Sequence, residues 1–188
     1  MLQTALKYSH SLLKEVIEPG DTVIDATMGN GNDTLFLAES VGRKGHVLAF
    51  DIQSQALNTT RHKLAEKQLI ERVELIHDGH EHLNEYLYKD TSIKAAIFNL
   101  GYLPKSDKNV ITIPKTTKAA LSQLLRHLII KGRILIVAYY GHPGGQEELE
   151  ALQQYCQELP QEQFSVLKYA FINQKNQPPI LFCIEKLQ

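Results

Sequence analysis

A chain of 188 residues with 43% hydrophobic and 22% charged side chains holds enough apolar material for one sizeable core, and its net charge of −1 excludes a globally basic nucleic-acid coat, though not a local basic patch. No apolar run approaches the roughly 18 residues of a membrane span, and the first residues, Met1 to His10, lack a continuous apolar stretch, so neither a membrane segment nor a signal peptide is expected. Cys156 and Cys183 have no CxxC spacing, which suits core thiols in a reducing cytoplasm and offers no metal site.

Leu2, Leu6, Ser9, Leu12, Leu13, Val16 and Ile17 repeat at a helical period until Pro19-Gly20 stops it. His10 lies inside this helix, either as a partly exposed helix residue or as part of a site. Thr22 to Asp25 reads as a buried strand, with β-branched Val23 and Ile24. A glycine turn follows, Thr27-Met28-Gly29-Asn30-Gly31, and a helix begins near Thr34 with Asn32 or Asp33 as its cap. That helix ends around Gly42. His46 to Asp51 is a second strand, Gln53 to about Ile70 a helix, and Val73 to His77 a third strand running into Asp78-Gly79-His80.

Ala95 to Phe98 forms a fourth strand ending at Asn99-Leu100-Gly101-Tyr102-Leu103-Pro104. A polar connection from Lys105 to Thr112 precedes a helix opened by Pro114, Thr116 and Thr117 and running to about Lys131. Arg133 to Tyr140 is a nearly all-apolar fifth strand, followed by Gly141-His142-Pro143-Gly144-Gly145 and a helix from about Gln146 to Glu158. Phe164 to Phe171 and Ile180 to Glu185 are the last two strands, joined by a turn-rich segment from Ile172 to Pro179. Strands alternating with helices give a doubly wound, mostly parallel seven-stranded sheet. The short final connection makes the last strand antiparallel. The chain reads as a single domain, residues 1–188, and the loops at the carboxyl ends of the first five strands share one rim where a site belongs.

Three features choose the ligand of the first loop. Asp25 stands inside the first strand, where a methyltransferase-like loop uses an acid to orient the loop and the ammonium of a methionine moiety. The loop supplies Gly29 and Gly31, but Asp33-Thr34 occupies the place of the third glycine of a GxGxxG pyrophosphate loop. A carboxylate there would also repel a pyrophosphate. All three favour S-adenosylmethionine over a dinucleotide. Asp51 can accept from both ribose hydroxyls. Gln53 can contact the adenosine or merely start a helix. Asp78 can bond the adenine amino group, with His80 beside it, or Asp78-Gly79 can be a plain turn.

Asn99-Leu100-Gly101-Tyr102 is similar to the (Asp/Asn)-Pro-Pro-(Tyr/Phe) motif of methyltransferases that modify amino groups, with Leu-Gly in place of Pro-Pro. An amide oxygen there can accept an N–H from an attacking amine, and Tyr102 can pack the substrate. A base to deprotonate the amine could be His142, Asp107 or Tyr102. Lys105, Lys108, Lys115 and Lys118 could touch phosphates or be solvated loop charges. Tyr139 and Tyr140 could stack a base or fill a strand.

The segments Asp25 to Thr34, Asn99 to Pro104 and Tyr140 to Gly145 closely resemble the YtqB-like family of rRNA methylases, a likeness that extends over essentially the whole chain. The resemblance implies a class I S-adenosylmethionine-dependent methyltransferase (Rossmann-like) fold. It also implies methylation of the aminomethyl nitrogen on C5 of wobble uridine, or 2-thiouridine, in a tRNA anticodon stem-loop. Through it Asn30, Asn32, Asp33, Asp51, Gln53 and His80 would be cofactor contacts, while Asn99 and Tyr102 would face the flipped-out base. Another RNA such as rRNA, a small amine, or nucleoside binding without catalysis stay open as alternatives, as does a homodimer.

Overall fold

The computed structural model describes residues 1–101 and 113–188. Its seven strands are β1 (Thr22–Asp25), β2 (His46–Phe50), β3 (Val73–Ile76), β4 (Ile93–Leu100), β5 (Leu128–Ala138), β6 (Phe164–Tyr169) and β7 (Ile180–Lys186). They form one sheet in the order β3-β2-β1-β4-β5-β7-β6. All neighbouring pairs from β3 to β5 are parallel, and β7 runs antiparallel to both β5 and β6. The antiparallel last strand is therefore as the short final connection requires.

Strand residues alternate between two apolar layers because successive side chains point to opposite faces. On one face, helices α4 (Pro114–His127) and α5 (Gly145–Gln157) bury Leu121, Leu124, Leu149 and Leu152 against Ile24, Phe98, Ile136 and Phe182. On the other, α1 (Ala5–Lys14), α2 (Asn32–Ser40) and α3 (Ser54–Glu66) bury Leu13, Leu37 and Leu64 against Val23, Val47, Ile97 and Leu135. Cys156 belongs to the first layer and Cys183 to the second, so the sheet itself separates them. Burial pushes both thiols up to about 12, which leaves them as unreactive packing groups.

Several boundaries differ from the sequence reading. Helix α4 stops at His127, and Leu128 passes straight into β5, pairing with Ile93 before a bulge. Gly132 makes this possible, since a Cβ there would sit 2.8 Å from the carbonyl oxygens of Ile129 and Lys94. Helix α3 ends at Glu66 rather than near Ile70, because Gln68 takes a left-handed turn (φ 58°) and the Leu69 N–H returns to the Leu64 carbonyl. The cap of α2 is Gly31, left-handed at φ 73°, not Asn32 or Asp33. The side chains of those two residues are engaged elsewhere.

Helix α1 is pinned to the sheet by Arg133. Its guanidinium donates to the Leu12 carbonyl at 2.8 Å, to Glu15 at 2.6 Å and to Glu185 of β7 at 2.6 Å. No helix among the described residues is long and apolar enough to cross a membrane.

Candidate active site

Strand order reverses between β1 and β4, since β1 leads to β2 on one side and has β4 on the other. At such a switch point the loops leave in opposite directions and open a crevice at the carboxyl ends of the strands. The chain after β1 bonds to both neighbours as it leaves. Ala26 N–H donates to Ile97 of β4, Met28 N–H donates to Phe50 of β2, and Thr27 Oγ1 accepts the Asn99 N–H at 2.7 Å. The resulting cavity has a volume of about 730 Å³, within the range of small-molecule sites.

Asp25 lies behind this cavity rather than in its wall. It is 0% exposed, and its two oxygens accept from Thr27 N–H (3.2 Å) and Thr34 Oγ1 (2.6 Å). It therefore joins the start of the loop to the start of α2, which is the loop-orienting half of its expected role. Burial, and next the charge of Asp33, raise its carboxyl to about 7. Gly31 is also absent from the wall. It is packed so closely on α3 that a Cβ would come 2.5 Å from Thr60 Oγ1.

The wall includes Gly29, Asn30, Asn32, Asp33, Asp51 and Gln53 on the β1–β2 side. Asp51 accepts from Gly29 N–H and from Gln53 N–H, both at 2.9 Å, so each oxygen keeps a lone pair for a ligand. Burial raises its carboxyl above the ordinary range. Asn32 Oδ1 accepts from Lys63 of α3 at 2.6 Å. Asp78 and His80 extend the wall beyond β3. Asp78 is tied to His82 (2.8 Å) and Tyr86 (2.9 Å), and the His82 bond above all keeps its carboxyl below the usual value.

The state of His80 follows from its partners. Nδ1 lies 3.0 Å from the Ala26 carbonyl, which can only accept, so Nδ1 carries the proton. Burial lowers the pKa of the ring and keeps it neutral. Nε2 is then a bare acceptor, buried and without a hydrogen-bond partner among the described residues. A buried acceptor of this kind asks for a donor from a ligand.

On the other side of the switch, Asn99, Gly101, Tyr139, Gly141, His142 and Gln177 complete the wall. Asn99 Nδ2 donates to Asp33 Oδ2 at 2.5 Å. His142 stands beside Gly101, its Nε2 3.7 Å from where a Cβ on that glycine would be. Burial, with the charge of Asp33, raises the Tyr139 phenol above its usual value, so it stays protonated. Tyr140 instead packs against the core. Tyr102, Lys105, Asp107 and Lys108 lie outside the described residues, whereas Lys115 and Lys118 fall in α4.

Sequence reasoning gave no site place to Gln177 and left His10 undecided. His10 Nε2 lies 2.5 Å from Asp33 Oδ1, and the ring stacks on Phe36 at 4.1 Å. Both contacts join elements more than 20 residues apart, so no local pattern announces them.

The donor set fits one ligand chemistry. Four carboxylates, Asp33, Asp51, Asp78 and Glu81, face the cavity, and no lysine or arginine lines it among the described residues. That wall suits a cationic nucleoside and disfavours a pyrophosphate. An open switch-point sheet with β7 reversed, carrying a glycine loop flanked by acids, defines a class I S-adenosylmethionine-dependent methyltransferase. The chain belongs to the family described as "Putative rRNA methylase", which matches residues 47–185. It is 37% identical, over 97% of its own length and 69% of the relative's, to the Arabidopsis thaliana protein named tRNA (mnm(5)s(2)U34)-methyltransferase, chloroplastic. A crystal structure from Clostridium thermocellum carrying the same description as the family superposes with a TM-score of 0.97 at 46% identity, with both chains fully covered. A "putative methyltransferase" from Streptococcus mutans, crystallised with SAH, gives a TM-score of 0.91 at 45% identity, again over both whole chains.

Proposed function

We propose that this methyltransferase acts on tRNA and methylates the aminomethyl nitrogen on C5 of the wobble uridine or 2-thiouridine, giving the 5-methylaminomethyl nucleoside. The name of the Arabidopsis relative supports the substrate class. The observation that carries the reading is Asn99. Its NH₂ end is committed to Asp33, which leaves its carbonyl oxygen at the cavity wall to accept an N–H from an amine.

S-adenosylmethionine, when bound, supplies an electrophilic methyl group on a positively charged sulfur. Holding it falls to Asp51, whose free lone pairs suit the ribose hydroxyls, to the bare Nε2 of His80, and to Gln53, Asp78 and the polar wall of Asn30, Asn32 and Asp33. Asn99 holds the amine so that the nitrogen lone pair faces the methyl group. Positioning of this kind is worth at most ~7–11 kcal/mol of a two-substrate barrier. A lysine-like amine, with a pKa of about 10.4 in water, must also lose a proton. Burial in the cavity lowers that value, and of the base candidates His142, Asp107 and Tyr102, His142 is the one the cavity wall includes among the described residues.

The anticodon loop is already single-stranded, so exposing its base takes less energy than flipping one from a duplex. A domain of this size can therefore take up the base directly, and a cytoplasmic location agrees with the two free, buried thiols. The test is mass spectrometry of tRNA nucleosides from cells with and without the gene. Accumulation of 5-aminomethyluridine or its 2-thio form on deletion is the expected result. Unchanged tRNA with an altered rRNA nucleoside would move the activity to ribosomal RNA.

A further inference from the structure

An amide that must offer its carbonyl to a substrate N–H is useful in only one of its two flipped orientations. At Asn99 that orientation is chosen by Asp33, because a carboxylate can only accept and so captures the NH₂ end. Asp33 would itself swing about its side-chain bond if only one oxygen were held. Its second oxygen, however, is held by His10 of α1, with Nε2 at 2.5 Å. The ring plane of His10 is fixed in turn by Phe36 of α2, 3° from parallel. Behind it, α1 is anchored by the Arg133 contacts to Leu12 and Glu15.

We propose that His10 is a positioning residue for methyl transfer, which, through its bond to Asp33, locks the Asn99 amide with its carbonyl toward the acceptor amine. The proposal rests on the reading of Asn99 given above. Both ends of the chain matter. Asp33 lines the cavity, yet it is only 8% exposed, so water is a poor substitute for either partner. Without His10 the carboxylate can rotate toward another donor. The amide then samples the flipped state, in which NH₂ rather than carbonyl faces the substrate nitrogen.

The experiment compares His10→Ala, His10→Gln and Asn99→Ala in methyl transfer from labelled S-adenosylmethionine to tRNA, with SAH affinity measured by calorimetry. A glutamine places an N–H donor near the position of the ring Nε2. The expected result for His10→Ala is a roughly 10- to 100-fold loss of kcat. KM for tRNA and SAH affinity should stay within about threefold, and His10→Gln should recover most of the lost rate. In the cofactor-free protein, the two side-chain amide protons of Asn99 should be widely separated by NMR, and that separation should narrow in His10→Ala but not in His10→Gln.

Unchanged kcat in His10→Ala, with turnover lost in Asn99→Ala, overturns the proposal and leaves Asn99 in place. Turnover retained in Asn99→Ala removes the underlying reading and the proposal together. If SAH affinity falls in step with kcat in His10→Ala, the His10–Asp33 bond supports cofactor binding rather than the Asn99 amide, and the positioning role is refuted. A lower thermal midpoint without rescue by glutamine marks His10 as a packing residue, which also overturns it.

Discussion

On the β1–β3 side of the crevice, the polar side chains in and behind the wall are already bonded within the protein before any ligand arrives. Asp51 holds the N–H groups of Gly29 and Gln53, His80 holds the Ala26 carbonyl, and Asp25 holds Thr27 and Thr34. On the β4–β5 side, the wall includes residues with large exposed faces, among them Tyr139 at 40% and Ile113 at 46%. Asn176 and Gln177 there stand in left-handed backbone, at φ 66° and 50°. Two acceptor-side groups are nonetheless held: Asn99 by Asp33, and His142 through its Nδ1, 3.0 Å from the Pro143 carbonyl. A small ligand that is always the same rewards a fixed cradle. A macromolecular substrate brings contacts of its own, and the groups that meet its reacting atom are the ones that gain most from being set beforehand.

If that contrast is right, the largest effect belongs to the prepared acceptor group. Asn99→Ala should lower turnover about 100-fold and leave SAH affinity nearly intact. Equal loss of both would place Asn99 on the cofactor side. Next, Asp51→Ala should weaken SAH binding by roughly 1.5–3 kcal/mol, the scale of a hydrogen bond to a charged group. Calorimetry that finds no change would mean the cradle is not built around Asp51.

Gly31→Ala tests the rigidity of the loop itself. The added Cβ meets Thr60 at 2.5 Å in a left-handed backbone, and thermal unfolding should show a destabilisation of about 1–3 kcal/mol. A neutral result would show that the β1–α2 loop is not fixed by this contact.

The last effect is a pH dependence. Asp25 has a folded pKa of about 7, above its unfolded value of 3.8, so the folded state binds the extra proton. Its contribution to stability is full below the unfolded value and is lost as pH rises through about 7. Denaturant unfolding between pH 5 and 7 should show this decline. Asp25→Asn, which keeps a polar group beside Thr34, should flatten it. An unchanged slope would assign the titration to another group.

The same contrast explains what could be read in the chain beforehand. Gly29, Asp51, Asp78 and Asn99 sit at strand ends, and strand ends are marked by local runs such as His46 to Phe50 and Ile93 to Leu100. Asp25 was recognisable as an acid before a glycine loop, but its burial depends on α2 folding back over it through Thr34. The cap of α2 was misplaced because Asn32 and Asp33 look like capping residues, and their side chains are drawn off by Lys63, His10 and Asn99. Gln177 reaches the cavity, and His10 reaches Asp33 in its wall, only through tertiary packing of the β6–β7 connection and of α1. Helical periodicity and turn composition describe those segments without saying what lies next to them.

The four acids facing the cavity carry a consequence for how a nucleic acid can lie on this protein. A phosphodiester chain passing over Asp51, Asp78 and Glu81 would meet like charge at every step, with no cation on that wall among the described residues to offset it. For the tRNA substrate proposed above, this wall disfavours the backbone, so the base alone is expected to reach inward on that flank.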